Sequence, residues 1–143
     1  MTATRHFLLA AGGTGGHMLP AYALAGELIS RGHRVALVSD DRGLKIPGGP
    51  AEMETHVLPA GRVSGGPIGW IKAALAIYKG RRMAIDLIGE FDPAVVVGFG
   101  GYPSLPSLLA AGATKRPRVL HEQNAVLGRV NRMMAPRVDA VAV

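Results

Sequence analysis

Short aliphatic runs alternate along the chain with longer stretches in which apolar residues recur at helical spacing. This alternation is typical of βαβ units. The runs are continuously apolar rather than alternating with polar residues, which favours a parallel sheet covered by helices on both faces. The pattern therefore predicts an α/β domain. The predicted strands are residues 7–11, 35–39, 55–58, 94–98, 118–120 and 138–143.

The predicted helices occupy the segments between these strands. The first covers residues 21–29, with Pro20 in its opening turn and Arg31 and Gly32 at its end, where a cation and a glycine are favoured. A second, long helix is predicted at residues 68–89. Turn-forming residues separate the other elements. Two further helices are predicted after residues 98–106 and 121–124, and two exposed loops are predicted at residues 41–49 and 61–69.

Composition limits the class of protein. The 143 residues are 48% hydrophobic and include no cysteine, which fits one domain, residues 1–143, with a buried core and excludes disulfides and thiolate metal sites. No stretch approaches the roughly 20 apolar residues that cross a bilayer, so an integral membrane protein is not expected. Residues 140–143 form a strand with no turn or helix after it. We therefore expect the chain to be a truncated part of a larger protein.

The net charge of +6 indicates an anionic partner. The partner could be nucleic acid, acidic lipid headgroups or a phosphorylated substrate. The alternative explanation of the charge is simple solubility. Nucleic acid is the least favoured partner, because the basic residues are not interleaved with aromatic residues on a recognisable module.

A glycine-rich segment joins the first predicted strand to the first predicted helix. Residues 12–17 read GGTGGH. Glycines let the backbone turn tightly and approach a ligand, and the N–H groups at a helix N-terminus favour a phosphate or diphosphate. The segment therefore predicts an anion site, with a tight turn that binds nothing as the alternative.

A dinucleotide site is the competing interpretation of this segment. In dinucleotide-binding folds, a G-x-G-x-x-G pattern also follows the first strand. In this chain Asp40 lies near the end of the second strand, where such folds have a ribose-binding acid. The pattern fails at Met18, which occupies the place of the third glycine. A P-loop is excluded, because no Gly-Lys-Ser/Thr follows.

A second glycine-rich turn also lies between a predicted strand and a predicted helix. Residues 98–104 read GFGGYPS. The carboxyl ends of parallel strands meet at one rim of the sheet, where open α/β folds bind ligands. The two turns therefore predict a wide cleft for a phosphorylated substrate.

A third segment is a row of polar side chains. Residues 121–124 read HEQN directly after a short strand, and Gly128 and Asn131 follow at helical intervals. Such a row is costly to bury unless it meets solvent or a ligand, so it predicts part of the same rim, with a carbohydrate as a natural match. A solvated loop with a helix cap is the alternative.

The three segments, in this order and spacing, resemble those of the MurG family, and the resemblance extends over the whole chain. It implies a GT-B glycosyltransferase, in which two Rossmann-like domains face each other across a cleft, and this chain resembles the N-terminal domain. The implied reaction is inverting transfer of N-acetylglucosamine from UDP-N-acetylglucosamine to the muramyl 4-hydroxyl of lipid I, which yields lipid II. No cofactor and no metal are implied. Most donor contacts belong to the C-terminal domain, so we expect no turnover by this chain alone.

The resemblance also implies roles for individual residues. His17 is the expected general base or acceptor-orienting group, since a neutral imidazole can accept a hydroxyl proton, and Glu122 is the second candidate base. Positions that match donor contacts are Thr14, Gly15, Gly16 and Asn124. The expected acceptor diphosphate site consists of Gly13, Gly100, Gly101, Tyr102 and Ser104. The remaining polar site residues are His121, Gln123 and Asn131.

The long predicted helix suggests a membrane surface. At 100° per residue, one face carries basic and apolar side chains together, a mixture that suits anionic headgroups. This face comprises Ile68, Lys72, Leu75, Lys79, Arg82 and Met83, while Ile71, Tyr78, Ile85 and Ile88 lie on the other side. We expect peripheral binding to the cytoplasmic face of the bacterial inner membrane, with a merely solvated face as the alternative.

Two other functions compete with this interpretation. One is a GT-B glycosyltransferase that acts on a different acceptor, such as a glycolipid or a natural product; the HEQN segment argues against it. The other is a nucleotide- or dinucleotide-binding module without catalysis, which tight binding of NAD(P) would reveal.

Overall fold

The computed structural model describes residues 3–59 and 65–143. Strands and helices alternate along them. The strands are β1 (His6–Ala10), β2 (Arg34–Ser39), β3 (Glu54–Val57), β4 (Val95–Gly98), β5 (Arg118–His121) and β6 (Ala140–Ala142). The helices are α1 (Gly15–Ser30), α2 (Asp41–Leu44), α3 (Gly66–Phe91), α4 (Leu105–Ala113) and α5 (Arg129–Met134), with short 3-10 turns at Tyr102–Ser104 and Ala135–Arg137.

The strands form one parallel sheet in the order β3-β2-β1-β4-β5-β6. The order proceeds outward from β1 in one direction and then restarts on its other side with β4. This reversal places the loops that follow β1 and β4 next to each other at the carboxyl rim, the usual place for a ligand in an open α/β sheet. The predicted parallel sheet is confirmed, and its strand bounds agree to within two residues.

Helices cover both faces of the sheet. Leu8 and Ala10 of β1 point into one core, which α3, α4 and α5 complete. Leu9 of β1, together with Ala11, points into a second core beneath α1. Successive side chains of a strand alternate between faces, so the continuous apolar run of β1 is buried on both sides.

The start of α1 differs from the prediction. The helix begins at Gly15, so Pro20 lies inside it rather than in its opening turn. Thr14 has extended backbone angles and precedes the first helical residue, and Met18 already packs fully buried against the sheet. Two glycines usually disfavour a helix, but here packing of the first turn outweighs their low propensity. His17 therefore projects from a helix rather than from a loop.

Part of each predicted loop is helical. In the segment 41–49, α2 forms a single turn, which the Asp40 side chain caps by accepting a hydrogen bond from the Gly43 N–H at 2.8 Å. In the segment 61–69, α3 already begins at Gly66, with Pro67 in its first turn, a favoured place for proline. Residues 61–64 of that predicted loop lie outside the described residues.

The outer turns of α3 carry an apolar patch. Of the four residues grouped on the other side of the helix, Ile85 and Ile88 pack towards the core, but Ile71 and Tyr78 are 60% and 56% exposed. Tight packing against the body of the domain is concentrated further along, where Gly80 lies against the Pro59 carbonyl and the Pro106 ring. The other large exposed apolar side chains on these turns are Ile68, Trp70 and Leu75. Among the described residues, no helix is both long and apolar enough to cross a membrane.

Candidate functional site

The loops after β1 and β4 touch backbone to backbone. The Gly12 N–H donates to the Gly100 carbonyl at 2.9 Å. A Cβ at Gly12 would lie 2.9 Å from the Gly101 Cα, and Gly100 and Gly101 both have positive φ, +105° and +81°. Side chains at these positions would push the two loops apart, so glycine is required for the contact. The two predicted glycine-rich turns thus form one structural unit.

The imidazole of His17 packs against this unit. Its Nδ1 lies 3.1 Å from the Thr14 hydroxyl. Its Cδ2 and Nε2 each lie 3.1 Å from where a Gly100 Cβ would stand, and Nδ1 lies 3.2 Å from the corresponding point at Gly101. Any side chain at either glycine would displace the ring. The glycines therefore make room for the histidine as well as for the turn.

Burial lowers the pKa of His17 below its ordinary value, and the negative charge of Glu122 offsets part of this effect. A neutral imidazole consequently predominates at neutral pH. In that form one ring nitrogen can accept a proton, which is the capacity that a general base requires.

Glu122 is almost completely buried, with 4% exposure. Its Oε1 accepts from the Gly128 N–H at 2.8 Å and from Asn131 Nδ2 at 3.1 Å. Its Oε2 accepts from the N–H and the Nδ2 of Asn124 at 3.3 and 3.2 Å. Burial raises the pKa of Glu122, but these four hydrogen bonds outweigh burial and hold the pKa below its ordinary value. The carboxylate therefore stays ionised and fixes the loop that leads to α5.

Several buried polar atoms of the HEQN segment and of Asn131 have no protein partner among the described residues. Within residues 3–59 and 65–143, the unpaired buried atoms include His121 Nδ1, Gln123 Oε1 and Asn131 Oδ1. Asn131 is 1% exposed, and its Nδ2 lies 3.5 Å from the point where a Gly100 Cβ would stand. His121 stacks at a tilt on Phe99, with ring centroids 5.3 Å apart. The HEQN segment thus supports the rim from behind the glycine loops.

The N-terminus of α1 retains its partial positive charge. The Thr14 side chain makes no capping hydrogen bond, and no acidic residue lies in the first turn. Nothing within 4 Å would meet a Cβ at Gly15. A negative group can therefore approach these backbone N–H groups closely.

A cleft of 780 Å³ opens beside these loops, a volume typical of a small-molecule site. Among the predicted site residues, it brings together Gly13, Thr14, His17, Gly101, Tyr102 and Lys79. Residues on its wall that the sequence did not single out include Arg42, Val57, Leu58 and Pro59. Arg42 could not be singled out because it lies in a predicted loop, and Met83, which the sequence pattern assigned to the membrane face of the long helix, lines the cleft instead.

Other predicted site residues lie away from the cleft wall. Ser104 is buried, and its hydroxyl donates to the Gly101 carbonyl at 2.8 Å, so it shapes the turn. Ile68, Lys72, Leu75 and Arg82 are exposed on α3 outside the cleft. Among the described residues, no group of three or more His, Asp or Glu is arranged to hold a metal ion.

The Asp40 carboxylate is already engaged. It caps α2 and accepts two hydrogen bonds from Arg42, at 3.1 and 3.2 Å. A Cβ at Gly13 would lie 2.5 Å from Asp40 Oδ1, so the acid lies directly against the first glycine loop. This arrangement gives the carboxylate a structural role and weakens the dinucleotide interpretation, which needs it for a ribose hydroxyl.

One known family domain matches almost the whole chain. Residues 7–143 match the glycosyltransferase family 28 N-terminal domain. The chain belongs to glycosyltransferase family 28. The family's N-terminal domain spans all the elements of the site, from the strand before the first glycine loop to the end of the sheet.

Two similar relatives carry the same enzyme name. The chain is 90% identical, over its whole length, to the UDP-N-acetylglucosamine–N-acetylmuramyl-(pentapeptide) pyrophosphoryl-undecaprenol N-acetylglucosamine transferase of Sphingopyxis alaskensis, and it covers 36% of that protein. It is 61% identical over 141 residues to the protein of the same name from Novosphingobium aromaticivorans, and covers 36% of it. The chain thus spans about a third of the length of these relatives.

Solved structures share the fold of this chain. MurG from Acinetobacter baumannii matches with a TM-score of 0.78 and 31% identity, over 97% of this chain and 40% of that one. CalG4, the calicheamicin glycosyltransferase, matches with a TM-score of 0.61 and 21% identity, over 94% of this chain and 37% of that one, and shows the shared fold. The resemblance to MurG and the Rossmann-like GT-B fold predicted from the sequence are confirmed.

Proposed function

We propose that the chain is the acceptor-binding side of an inverting N-acetylglucosaminyltransferase that converts lipid I into lipid II for peptidoglycan synthesis. The observation that carries this proposal is the 90% identity, over the whole chain, to a transferase named for that donor and acceptor. The geometry adds support, because the cleft combines a helix N-terminus suited to phosphate with a neutral histidine.

His17 is the proposed general base. Its imidazole accepts the proton of the muramyl hydroxyl, the hydroxyl oxygen bonds to the anomeric carbon of N-acetylglucosamine, and UDP leaves from the opposite face with the bonding electrons. The lowered pKa of His17 keeps the ring able to accept that proton at neutral pH. Glu122 acts through His17 and the loop around Asn124, because both its oxygens are already occupied by four hydrogen bonds.

The glycine loops are the proposed site of the acceptor diphosphate. Gly13, Gly101 and Tyr102 line the cleft, and Gly100 precedes Gly101 in the same turn of positive φ. Ser104 contributes by holding the turn. Thr14, Gly15, Gly16 and Asn124 are the proposed points of contact with the donor, and the open space at Gly15 suits close approach of a sugar or phosphate.

Transfer of radiolabelled N-acetylglucosamine to a short-chain lipid I analogue tests this function. We would join the chain to the remaining C-terminal part of its 90% identical Sphingopyxis alaskensis relative, and call the product the joined protein. We expect transfer by the joined protein and none by residues 1–143 alone. Absence of transfer, combined with tight NAD(P) binding, would instead establish a dinucleotide-binding module.

The exposed turns of α3 are the proposed membrane contact. Ile68, Ile71 and Leu75 are exposed there beside the cations Lys72 and Arg82. Apolar side chains flanked by cations favour an interface with anionic lipid headgroups. We therefore place the protein peripherally on the cytoplasmic face of the inner membrane, where lipid I would present its sugar to the cleft.

Anionic vesicles should shift the fluorescence of Trp70 to the blue. Trp70 is the single tryptophan of the chain and is exposed on these turns. Its emission therefore reports the transfer of these turns from water into a less polar environment. A Lys72→Glu/Arg82→Glu variant should bind at least tenfold more weakly, since each cation near an anionic surface contributes about 1 kcal/mol. Glu substitution of Arg31 and Arg137, two exposed cations outside α3, provides the control for net charge. Equal weakening by both double variants would contradict a specific membrane face.

A further inference from the structure

One face of α3 leads from the apolar patch into the cleft. Ile68, Lys72, Leu75, Lys79 and Met83 recur at helical spacing and lie along one side of the helix. Ile68 and Leu75 are exposed outside the cleft, whereas Lys79 and Met83 line it. Lys79 follows Leu75 by about 6 Å along the helix axis. It therefore stands where the apolar surface ends and the cleft begins.

Lys79 has a charge that no protein group neutralises. Among residues 3–59 and 65–143, its ammonium has no carboxylate within ion-pair distance, and the remaining residues of the chain include no acid. Arg42, the other cation of the cleft, is held by two hydrogen bonds to Asp40. The acids of the cleft, Asp40 and Asp41, both belong to the start of α2 beside Arg42. Lys79 is thus the cation that the cleft offers to an anionic ligand.

We propose that Lys79 binds the diphosphate of the lipid-linked acceptor and makes the cleft selective for a diphosphate. This inference rests on the proposed function. An acceptor whose lipid tail lies against Leu75 and whose sugar reaches His17 must place its diphosphate between them, and Lys79 lies on that path. The lysine supplies a point charge with three donors, while the glycine loops supply neutral N–H groups.

This role separates Lys79 from Lys72, its neighbour two turns earlier on the same face. Lys72 lies outside the cleft and is positioned to meet lipid headgroups, whereas Lys79 lines the cleft. The sequence grouped the two lysines as one membrane-binding set. The structure offers Lys72 as a matched control, with the same side chain on the same helix face but no access to the cleft.

Binding of farnesyl diphosphate and farnesyl monophosphate to the joined protein tests the proposal, in the absence of membranes and with saturating UDP to occupy the donor side. Lys79→Met should weaken binding of the diphosphate by about tenfold to a hundredfold, the usual loss when a charged hydrogen bond is removed. The monophosphate should lose less, and Lys72→Met should leave both affinities unchanged. Both substitutions are at exposed positions, so folding is not at stake.

Anionic vesicles and transfer kinetics provide the discriminating arms. Lys72→Met should reduce vesicle binding, whereas Lys79→Met should raise the KM of the acceptor and leave the KM of UDP-N-acetylglucosamine unchanged. Failure of the parent to bind farnesyl diphosphate, or equal binding by parent and Lys79→Met, would overturn the inference while transfer activity still upheld the proposed function. Loss of diphosphate binding in Lys79→Met without any transfer by the parent would refute the proposed function and leave a diphosphate site at Lys79.

Discussion

Replacing His17 with alanine is expected to lower kcat of the joined protein by about a hundredfold to ten-thousandfold, the usual contribution of a general base. The substitution removes a ring that packs against Gly100 and Gly101 at the cleft. The KM of UDP-N-acetylglucosamine should change little, because the base acts on the acceptor hydroxyl. Initial rates at saturating donor and acceptor measure the effect.

His56→Ala is the matched control for this experiment. His56 lies on the edge strand β3 and is not part of the cleft wall. Among residues 3–59 and 65–143, its one carboxylate neighbour within ion-pair distance is Glu54, at 3.7 Å, so its removal should leave kcat unchanged. A His17→Ala protein with the parent's kcat would rule out His17 as the base.

The pH dependence of kcat/KM should show the same group. Because the pKa of His17 is lowered from 6.5, the midpoint of the acid limb of the profile should lie below pH 6.5. The rate should decline as the imidazole becomes protonated and loses its acceptor. Loss of this limb in a His17→Gln variant that retains some activity would assign it to His17.

Replacing Glu122 with glutamine is expected to reduce the free energy of unfolding by about 3 kcal/mol. The NH₂ group of glutamine would face buried N–H groups whose hydrogen bonds the carboxylate accepts in the parent. One oxygen can still serve Gly128 and Asn131, but the new NH₂ would face both donors of Asn124, or the reverse. Urea unfolding at neutral pH measures the loss. Glu27→Gln, which removes an exposed pair with Arg31, is the control and should cost less than 1 kcal/mol.

Acid should diminish the difference between the parent and Glu122→Gln. The folded-state pKa of Glu122 is depressed, so its contribution is complete above the unfolded pKa and is lost as pH falls through the folded pKa. The same substitution also removes the charge that raises the pKa of His17. The acid limb of kcat/KM should therefore move to lower pH in Glu122→Gln, and a move to higher pH would refute the coupling.

Central strands could be predicted from the sequence because their burial is nearly complete, and the long helix because its apolar residues recur at helical spacing. The run 7–11 is apolar on both sides of the chain, and β1 lies between β2 and β4 with both faces covered. The start of α1 could not be predicted in this way. Glycine has a low helix propensity, and only the packing of Met18 against the sheet shows that the helix begins before Pro20.

The exposed face of α3 illustrates a different limit. Periodicity assigns residues to sides of a helix, but it does not show how far along its length the helix is covered. Ile71 and Tyr78 lie within about 40° of Ile85 around the helix, yet they lie on outer turns where they meet solvent, whereas Ile85 packs against the core. Lys79 and Leu75 are likewise neighbours in the periodic pattern, and only the position of the cleft distinguishes them.

The candidate site was predictable where its chemistry depends on local sequence. The glycine loops and His17 carry recognisable motifs, and the structure brings both loops into contact. The four hydrogen bonds of Glu122 were not predictable, because they depend on the path of the chain from Asn124 to Asn131. This path makes the carboxylate an anchor, a role that the HEQN segment alone does not specify.

The cleft and the outer turns of α3 differ in stiffness. Gly12 and Gly100 follow β1 and β4, each paired with a strand on both sides, and amides in such central strands exchange with solvent only when the domain opens as a whole. The outer turns of α3 bury few side chains and belong to the part of a fold that opens at low cost. The part of the cleft that holds His17 therefore stays fixed, while the outer turns of α3, where we propose the membrane contact, can yield to the undulations of a fluid bilayer.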